Sequence, residues 1–333
     1  MRDEGPFILD WLACHRAIGF TDFLVYSNDC ADGTDAILNR LADMGVLTHQ
    51  PNPRQGRRTV QWQALKSAMD HPLVAASGWV MVADVDEYLA IHAGAGRLDD
   101  LFAARPDANA FCVPWRMFGN AGVIPFHPAP ITAQFPRCAP AEMRWPWRAV
   151  QFKTLFRNGP DLRAMGVHRP RMAGGKMAGW VDGNGDPMAP VKGPIAPCHG
   201  PRYGLAQLNH YALGAAENFL IKAARGRPNR TDDPIGIEYW IERNFCAETC
   251  DRIRIWDDAI AAQTREWLAD PTLSRLIGAS IDWRRGRINE ISATPEGFRL
   301  LARTVMAGPT RVLPMSDQIT MLRMAHAARE AAD

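Results

Sequence analysis

Short apolar segments alternate with helical segments along the first 115 residues of the chain. Residues 23–26 and 79–83 are continuously apolar, which is the pattern of strands covered on both faces. Between them, residues 35–44 carry apolar side chains at helical spacing and are followed by Gly45, a common helix end. This alternation predicts an α/β fold with a mainly parallel sheet and flanking helices. Further strands are predicted at 46–47, 110–113 and 151–156, and further helices at 6–18, 61–69 and 217–224.

The amino-acid composition of the chain changes after residue 124. Residues 125–201 hold about half of the 25 prolines, so regular elements should be sparse there and loops should cover a site. From about residue 237 onward the pattern is rich in helices. The candidates for the core of that region are Trp240, Phe245, Trp256 and Trp267.

Composition and charge exclude several classes of protein. With 47% hydrophobic and 22% charged residues, the chain has the composition of an ordinary globular protein. A net charge of +2 is too balanced for a nucleic-acid-binding surface. No apolar stretch is long and unbroken enough to predict a membrane span, although peripheral contact with a membrane stays open. The seven cysteines are scattered without a CxxC pair, which is typical of reduced proteins and predicts a cytoplasmic location.

Two acidic residues, Asp84 and Asp86, directly follow the apolar run at 79–83. Ligands of parallel sheets bind beyond the carboxyl ends of the strands, so both carboxylates are expected at a binding edge. The hard cations Mg²⁺ and Mn²⁺ prefer such oxygen ligands and commonly bridge to substrate phosphates. A solvated strand end with helix-capping aspartates would give the same pattern, and both explanations stay open, with the metal site favoured.

A second acidic pair, Asp29 and Asp32, lies in the turn-rich stretch after the apolar run at 23–26. Such a stretch is first of all a turn that caps the next helix. A carboxylate beside a strand end can also accept a hydrogen bond from a nucleobase or a ribose hydroxyl. The sequence alone does not decide between the two roles.

His210 precedes a helix that carries Lys222 and Arg225, with Arg227 close behind. A lone histidine between apolar residues is usually a hydrogen-bonded core residue. The alternative is a third metal ligand, because two aspartates leave a cation under-coordinated. The basic residues could bind a diphosphate, or they could form a solvated helix end that the helix dipole favours.

Five more residues are candidate substrate contacts. Aromatic rings beside arginine and asparagine suit sugar rings, and they suit ordinary packing equally well. The lysine of the predicted strand at 151–156 could simply face outward. The five candidates are Trp115, Gly119, Asn120, Lys153 and His168.

Several of these segments, taken together and in order, resemble a known family. Spaced motifs that agree in order are more specific than any one of them, and the similarity runs over roughly residues 2–230. The family is that of bacterial family 2-like glycosyltransferases, which are related to the family 92 enzymes. The segments that resemble its motifs are 3–12 (DEGPFILDWL), 26–34 (YSNDCADGT), 84–87 (DVDE), 118–122 (FGNAG), 209–211 (NHY), Lys222 and 225–226 (RG).

The resemblance implies a GT-A-type, Rossmann-like fold and an inverting hexosyl transfer that serves polysaccharide or surface-glycan synthesis. The donor would be a nucleotide-diphosphate sugar, and the acceptor a glycan or a lipid-linked molecule. A Mn²⁺ or Mg²⁺ ion would be held by Asp84, Asp86 and His210. An inverting enzyme also needs a general base; Glu87 is the candidate because it is next to the metal motif, and Asp182 and Asp186 in the loop-rich half are the alternatives. The residues that would face the nucleotide and its phosphates are Glu4, Asp29, Asp32, Lys222 and Arg225.

The resemblance also implies a domain organisation. Residues 1–230 would form the transferase domain, with a nucleotide-sugar and metal half at 1–115 and an acceptor half at 116–230. Residues 231–333 would be a helical C-terminal extension. The sequence departs from the family at Asp3 and Asp10, where Asn and Glu are usual. A strand normally precedes the first motif, so the chain is expected either to lack a central strand or to begin too late.

Two other functions are compatible with parts of the pattern. Phosphatases of the haloacid dehalogenase type also place DxD after an apolar strand, but Tyr88 stands where they have Thr or Val. A non-catalytic carbohydrate-binding relative is the third class. The intact Asp84, Asp86 and His210 argue against such a degenerate relative. Metal-dependent binding of a nucleoside diphosphate would distinguish the transferase from both.

Overall fold

The computed structural model describes residues 1–56, 59–146, 149, 151–188, 202–226 and 235–330. Arg227 and the proline-rich stretch 189–201 lie outside the described residues. Among the described residues, none of the helices combines the length and apolar character that crossing a membrane requires.

Strands and helices alternate in the first third of the chain, and helices dominate the last third. The strands are β1 (Leu24–Ser27), β2 (Thr48–Pro51), β3 (Trp79–Met81), β4 (Glu87–Ile91), β5 (Ala110–Met117), β6 (Arg137–Cys138), β7 (Phe152–Arg157), β8 (Leu162–Ala164), β9 (Arg171–Met172), β10 (Trp180–Asp182), β11 (Ala206–His210) and β12 (Glu248–Thr249). The α-helices are α1 (Ile8–Ala17), α2 (Thr34–Asp43), α3 (Val60–Met69), α4 (Pro72–Ala76), α5 (Leu98–Ala104), α6 (Ile131–Gln134), α7 (Ala216–Arg225), α8 (Ile237–Ile241), α9 (Asp257–Leu268), α10 (Pro271–Ser292), α11 (Pro295–Ala307) and α12 (Met315–Glu330). Shorter 3₁₀ turns lie at Gly5–Phe7, Ala173–Gly175 and Arg252–Trp256.

The largest sheet has the strand order β3-β7-β5-β11-β4, and β10 pairs with the first part of β5. Strand β5 is its centre, and all eight of its residues are buried. Strands β10 and β11 run parallel to β5, whereas β7 runs antiparallel to both β5 and β3, and β4 runs antiparallel to β11. The α/β class is therefore confirmed, and the sheet is mixed.

The prediction of a mainly parallel sheet is wrong. Continuously apolar strands show that both faces of a sheet are covered, but they carry no information on strand direction. Strand β4 leaves the acidic turn and pairs directly with β11, and β7 lies between β3 and β5, so three of the pairings become antiparallel. The parallel pattern holds locally, in β1–α2–β2, whose two strands form a separate parallel pair.

The C-terminal helices share an apolar cluster with the N-terminal α/β unit. Trp267 of α9 and Leu273 and Ile288 of α10 belong to the same buried cluster as Leu12 of α1 and Leu38 of α2. Trp240, Phe245 and Trp267 are buried, as predicted, and Trp256 is partly buried. The boundary at residue 230 stays a prediction.

Candidate active site

The turn between β3 and β4 carries the acidic pair Asp84 and Asp86. Glu87 begins β4 and lies opposite His210 in the antiparallel register with β11. The main-chain oxygen of Asp86 accepts a hydrogen bond from the N–H of Tyr211 at 2.8 Å. The pairing of these strands therefore brings His210 from far along the chain to the acidic turn.

Lys153, on β7, neutralises one end of this turn. Its Nζ donates to Asp84 Oδ2 at 2.9 Å and lies 3.1 Å from Glu87 Oε2, and neither Lys153 nor Glu87 has any exposed surface. Glu87 Oε2 also accepts the N–H of Asp84 at 2.9 Å. Burial works to lower the pKa of Lys153, but the two carboxylates outweigh burial and raise it. A charged ammonium group therefore ties the acidic turn to strand β7.

Glu87 is enclosed within this cluster. Burial raises the pKa of Glu87 to about 8, and Lys153 opposes the shift. A general base must come within hydrogen-bond reach of the acceptor hydroxyl, and Glu87 has no exposed surface to offer one. Its catalytic role stays a prediction, as does the substrate contact of Lys153. The contacts of both side chains position Asp84.

Lys222, on α7, neutralises the other aspartate. Its Nζ donates to Asp86 Oδ2 and to the main-chain oxygen of Ala212, both at 2.7 Å. Burial would raise the pKa of Asp86, but Lys222 outweighs burial and holds it well below its usual range. Each aspartate of the turn is thus ionised and has a lysine of its own.

His210 faces the other oxygen of Asp86, with its Nε2 3.8 Å from Oδ1. Burial lowers the pKa of His210 to about 3, so its imidazole is neutral near pH 7. The ring packs on Trp115 with 4.3 Å between ring centroids, and Trp115 also contacts the ring of His168. His168 is neutral for the same reason, since burial and Lys153 lower its pKa to about 4. The three rings line one side of the acidic turn.

The side chains that the resemblance assigns to a cation fit one chemically. An ionised aspartate and a neutral imidazole both donate electron pairs to Mn²⁺ or Mg²⁺. The 3.8 Å between Asp86 Oδ1 and His210 Nε2 agrees with two ligands of one cation, which lie roughly 3–4 Å apart when each is about 2.1 Å from the ion. Asp84 is drawn to Lys153 instead, and within the described ranges no three Asp, Glu, His or Cys side chains gather closely enough to hold an ion.

An open cavity adjoins Asp86. Glu4, Lys222 and Arg225 line it together with Asp86, and the guanidinium of Arg225 forms an ion pair with the carboxylate of Glu4. The structure therefore brings together four residues that the sequence predicted to meet. Apolar side chains of Phe7, Phe126, Ile131 and Phe135 form much of the remaining wall.

The second acidic pair does not line this cavity. Asp32 is buried, and its carboxylate accepts hydrogen bonds from the N–H groups of Gly5 and Thr34 and from the hydroxyl of Ser280, at 2.8–3.0 Å. It therefore connects the first turn of the chain, the start of α2 and helix α10. Asp29 is exposed and accepts a hydrogen bond from Asn28 Nδ2 at 3.1 Å. The nucleotide contacts of both residues stay predictions.

Gly119 and Asn120 lie where the loop after β5 meets residues 244–246. The N–H of Gly119 donates to the main-chain oxygen of Phe245 at 3.0 Å, and the N–H of Asn120 donates to Asn244 Oδ1 at 2.9 Å. A Cβ at Gly119 would lie only 2.5 Å from Cys246 Sγ and 2.6 Å from that oxygen of Phe245. Glycine is therefore required by close packing. The predicted substrate contacts of Gly119 and Asn120 are not tested by this geometry.

Gly119→Ala should lower the free energy of unfolding by about 1–3 kcal/mol, because the added methyl group must displace main-chain atoms. Gly286→Ala is the matched control. Gly286 occupies an exposed position of helix α10, and a methyl group added there would meet no described atom within 4 Å. That change should raise the free energy by about 0.5–1 kcal/mol through helix propensity. Urea denaturation measures both, and equal effects at the two glycines would contradict the packing argument.

The sequence interpretation missed Arg284, which also lines the cavity. It lies on the buried face of α10, where Leu273, Ser280 and Ile288 are its buried companions. An arginine within such a stripe was the available signal, because arginine is almost never fully buried unless it is paired.

Much of the chain matches a known protein family. Residues 4–179, more than half of its length, match glycosyltransferase family 92. The matched stretch includes Glu4, the acidic turn and Lys153, and it ends before β11 and α7. No curated protein matches the chain. Glu4 and Asp86, both within the matched stretch, line one cavity. Because the match covers more than half of its length, the chain belongs to glycosyltransferase family 92.

Proposed function

We propose that this protein transfers a sugar from a nucleotide-diphosphate sugar to a hydroxyl acceptor, at the cavity beside Asp86. The observation that carries the proposal is that Lys222 and Arg225 line the same cavity as Asp86 of the acidic turn, in a chain of family 92. When the sugar is transferred, negative charge builds on the departing diphosphate. Preorganised cations at that point stabilise the transition state.

We further propose a divalent cation, Mn²⁺ or Mg²⁺, held by Asp86 and His210 with Asp84 as the third ligand. Such an ion would act as a Lewis acid on the diphosphate. The chain's own residues divide the remaining work. Lys222 donates a hydrogen bond to the Asp86 carboxylate and lines the cavity with its ammonium group. Lys153 donates to Asp84 and so fixes the other aspartate of the turn. Contacts of Trp115 and His168 with the transferred sugar are part of the same proposal and rest on the resemblance, since the two rings contact each other and do not line the cavity.

The finer assignments rest on the resemblance. They are a GT-A-type donor half, an inverting hexosyl transfer, and a glycan or lipid-linked acceptor in polysaccharide or surface-glycan synthesis. The phosphatase and the non-catalytic relative are not proposed, because the family match is to a transferase.

A panel of nucleotide-diphosphate sugars tests this function. With Mn²⁺ present, the protein should release nucleoside diphosphate slowly from at least one donor, because water can replace the acceptor. Lys222→Gln should reduce that release roughly 100-fold, since it removes a charge that faces the diphosphate. Lys176→Gln is the control, because Lys176 is 67% exposed and 4.0 Å from its acidic partner. If no donor is bound or cleaved, the proposed function is wrong.

A further inference from the structure

Arg284 reaches the cavity from helix α10, far outside the stretch that matches the family. Its guanidinium donates to the main-chain oxygen of Asp3 and to Asn218 Oδ1. It lies over the rings of Phe7 and Phe126, 4.8 and 5.8 Å from their centroids. Only 2% of the residue is exposed, and the two phenylalanine rings cover much of the guanidinium.

The charged residues of the cavity are not all paired. Lys222 has Asp86 and Arg225 has Glu4, but the hydrogen-bond partners of Arg284 in the described chain are two neutral oxygens. Its Nε is buried and has no partner among those residues. Burial lowers the pKa of Arg284, and the nearby carboxylates of Glu4, Asp32 and Asp3 oppose that shift without reversing it. The cost of burying a charge is usually offset by a partner of opposite charge.

Among the described residues that line this cavity, three carry positive side chains and two carry negative ones, and the positive side chain without a direct ion pair is the buried one. A planar guanidinium with free N–H groups is the group that recognises phosphate oxygens in pairs. The neutral oxygens that already hold Arg284 fix its orientation without cancelling its charge. The cavity is therefore preorganised for an anion at this point.

We propose that Arg284 binds a phosphate group of the nucleotide-diphosphate donor, so that the C-terminal helix α10 completes the donor site. The inference rests on the proposed function and adds a binding residue to it. The phosphate would form the direct ion pair that Arg284 does not make with any described residue, while Lys222 and Arg225 keep their carboxylates.

Calorimetric titration with uridine diphosphate, inorganic pyrophosphate and uridine, each in Mn²⁺, tests this assignment. Arg284→Gln should weaken the two diphosphates roughly 10- to 100-fold, the worth of a charge-assisted hydrogen bond. Uridine, which has no phosphate, should bind unchanged. Arg285→Gln on the same helix is the control, because Arg285 is 55% exposed and paired with Asp282.

A purely structural Arg284 would behave differently. Arg284→Gln would then lower the melting temperature and weaken all the ligands together, and the ratio of diphosphate to uridine affinity would stay constant. If Arg284→Gln does not fold, Arg284→Lys carries the test, because it keeps the charge and loses the paired N–H groups. A constant ratio in that variant overturns the inference alone. Failure of the wild type to bind any diphosphate overturns the proposed function as well.

Discussion

Replacing Lys153 with methionine should lower the free energy of unfolding by about 3–5 kcal/mol, the usual cost of removing one partner of a buried ion pair. The ammonium group of Lys153 has no exposed surface and lies between Asp84 and Glu87. Methionine fills a similar volume without charge, so packing is largely kept. The loss would measure what it costs to enclose the Glu87 carboxyl, whose pKa burial raises, once Lys153 no longer opposes that shift. Urea denaturation gives the value.

Two further variants separate charge from packing in this experiment. Lys153→Met combined with Glu87→Gln should recover part of the lost stability, because the buried carboxyl is then replaced by a neutral amide. Lys176→Met, at an exposed position, should change the free energy of unfolding little. A loss at Lys153 no larger than at Lys176 would show that the buried cluster does not hold the acidic turn.

Asp86→Asn should abolish the Mn²⁺-dependent part of nucleoside diphosphate binding while the protein stays folded. The change removes the charged ligand that faces His210 and also the carboxylate that holds Lys222. In Mn²⁺ the affinity should therefore fall at least about tenfold. In chelator it should stay the same or rise, because the released ammonium of Lys222 becomes free to meet the diphosphate.

Calorimetric titration of uridine diphosphate, with Mn²⁺ and with chelator, resolves the two effects. Asp99→Asn is the matched control, since Asp99 is exposed at the start of α5. Equal affinity of wild type and Asp86→Asn in Mn²⁺ would rule out Asp86 as a ligand. Wild-type binding that is the same in Mn²⁺ and in chelator would leave the lysines as the cations of the site.

Local patterns predicted the parts of this fold that are local. The unit from β1 through α2 to β2 follows from short apolar runs around an amphipathic helix, and its strands pair in parallel as expected. The position of the acidic turn after β3 was likewise readable from the sequence. Strand direction in the large sheet was not, because pairing of β5 with β7 and β11 is decided by tertiary contacts and not by the strands' own residues.

The partners of Lys153 and Lys222 show the same limit. Lys153 meets Asp84 across 69 residues, and Lys222 meets Asp86 across 136. A lysine within a strand pattern looks the same whether it faces water or a buried carboxylate. Arg284 was missed because its partners Asn218 and Asp3 lie 66 and 281 residues away along the chain. The types of residue at the site could be predicted from the sequence, but which of them contact each other depends on long-range pairing of the strands and helices.

The shared cluster of the N- and C-terminal helices has a consequence for how the protein is made. Ser280 donates to Asp32 across 248 residues, and α10 packs against α2 and the first turn of the chain. During synthesis, which proceeds from the N-terminus, the apolar faces of α1 and α2 must wait uncovered until the ribosome has translated α10. Contacts of such sequence separation close slowly. We therefore expect the emerging chain to need protection from aggregation for longer than its N-terminal α/β unit alone would.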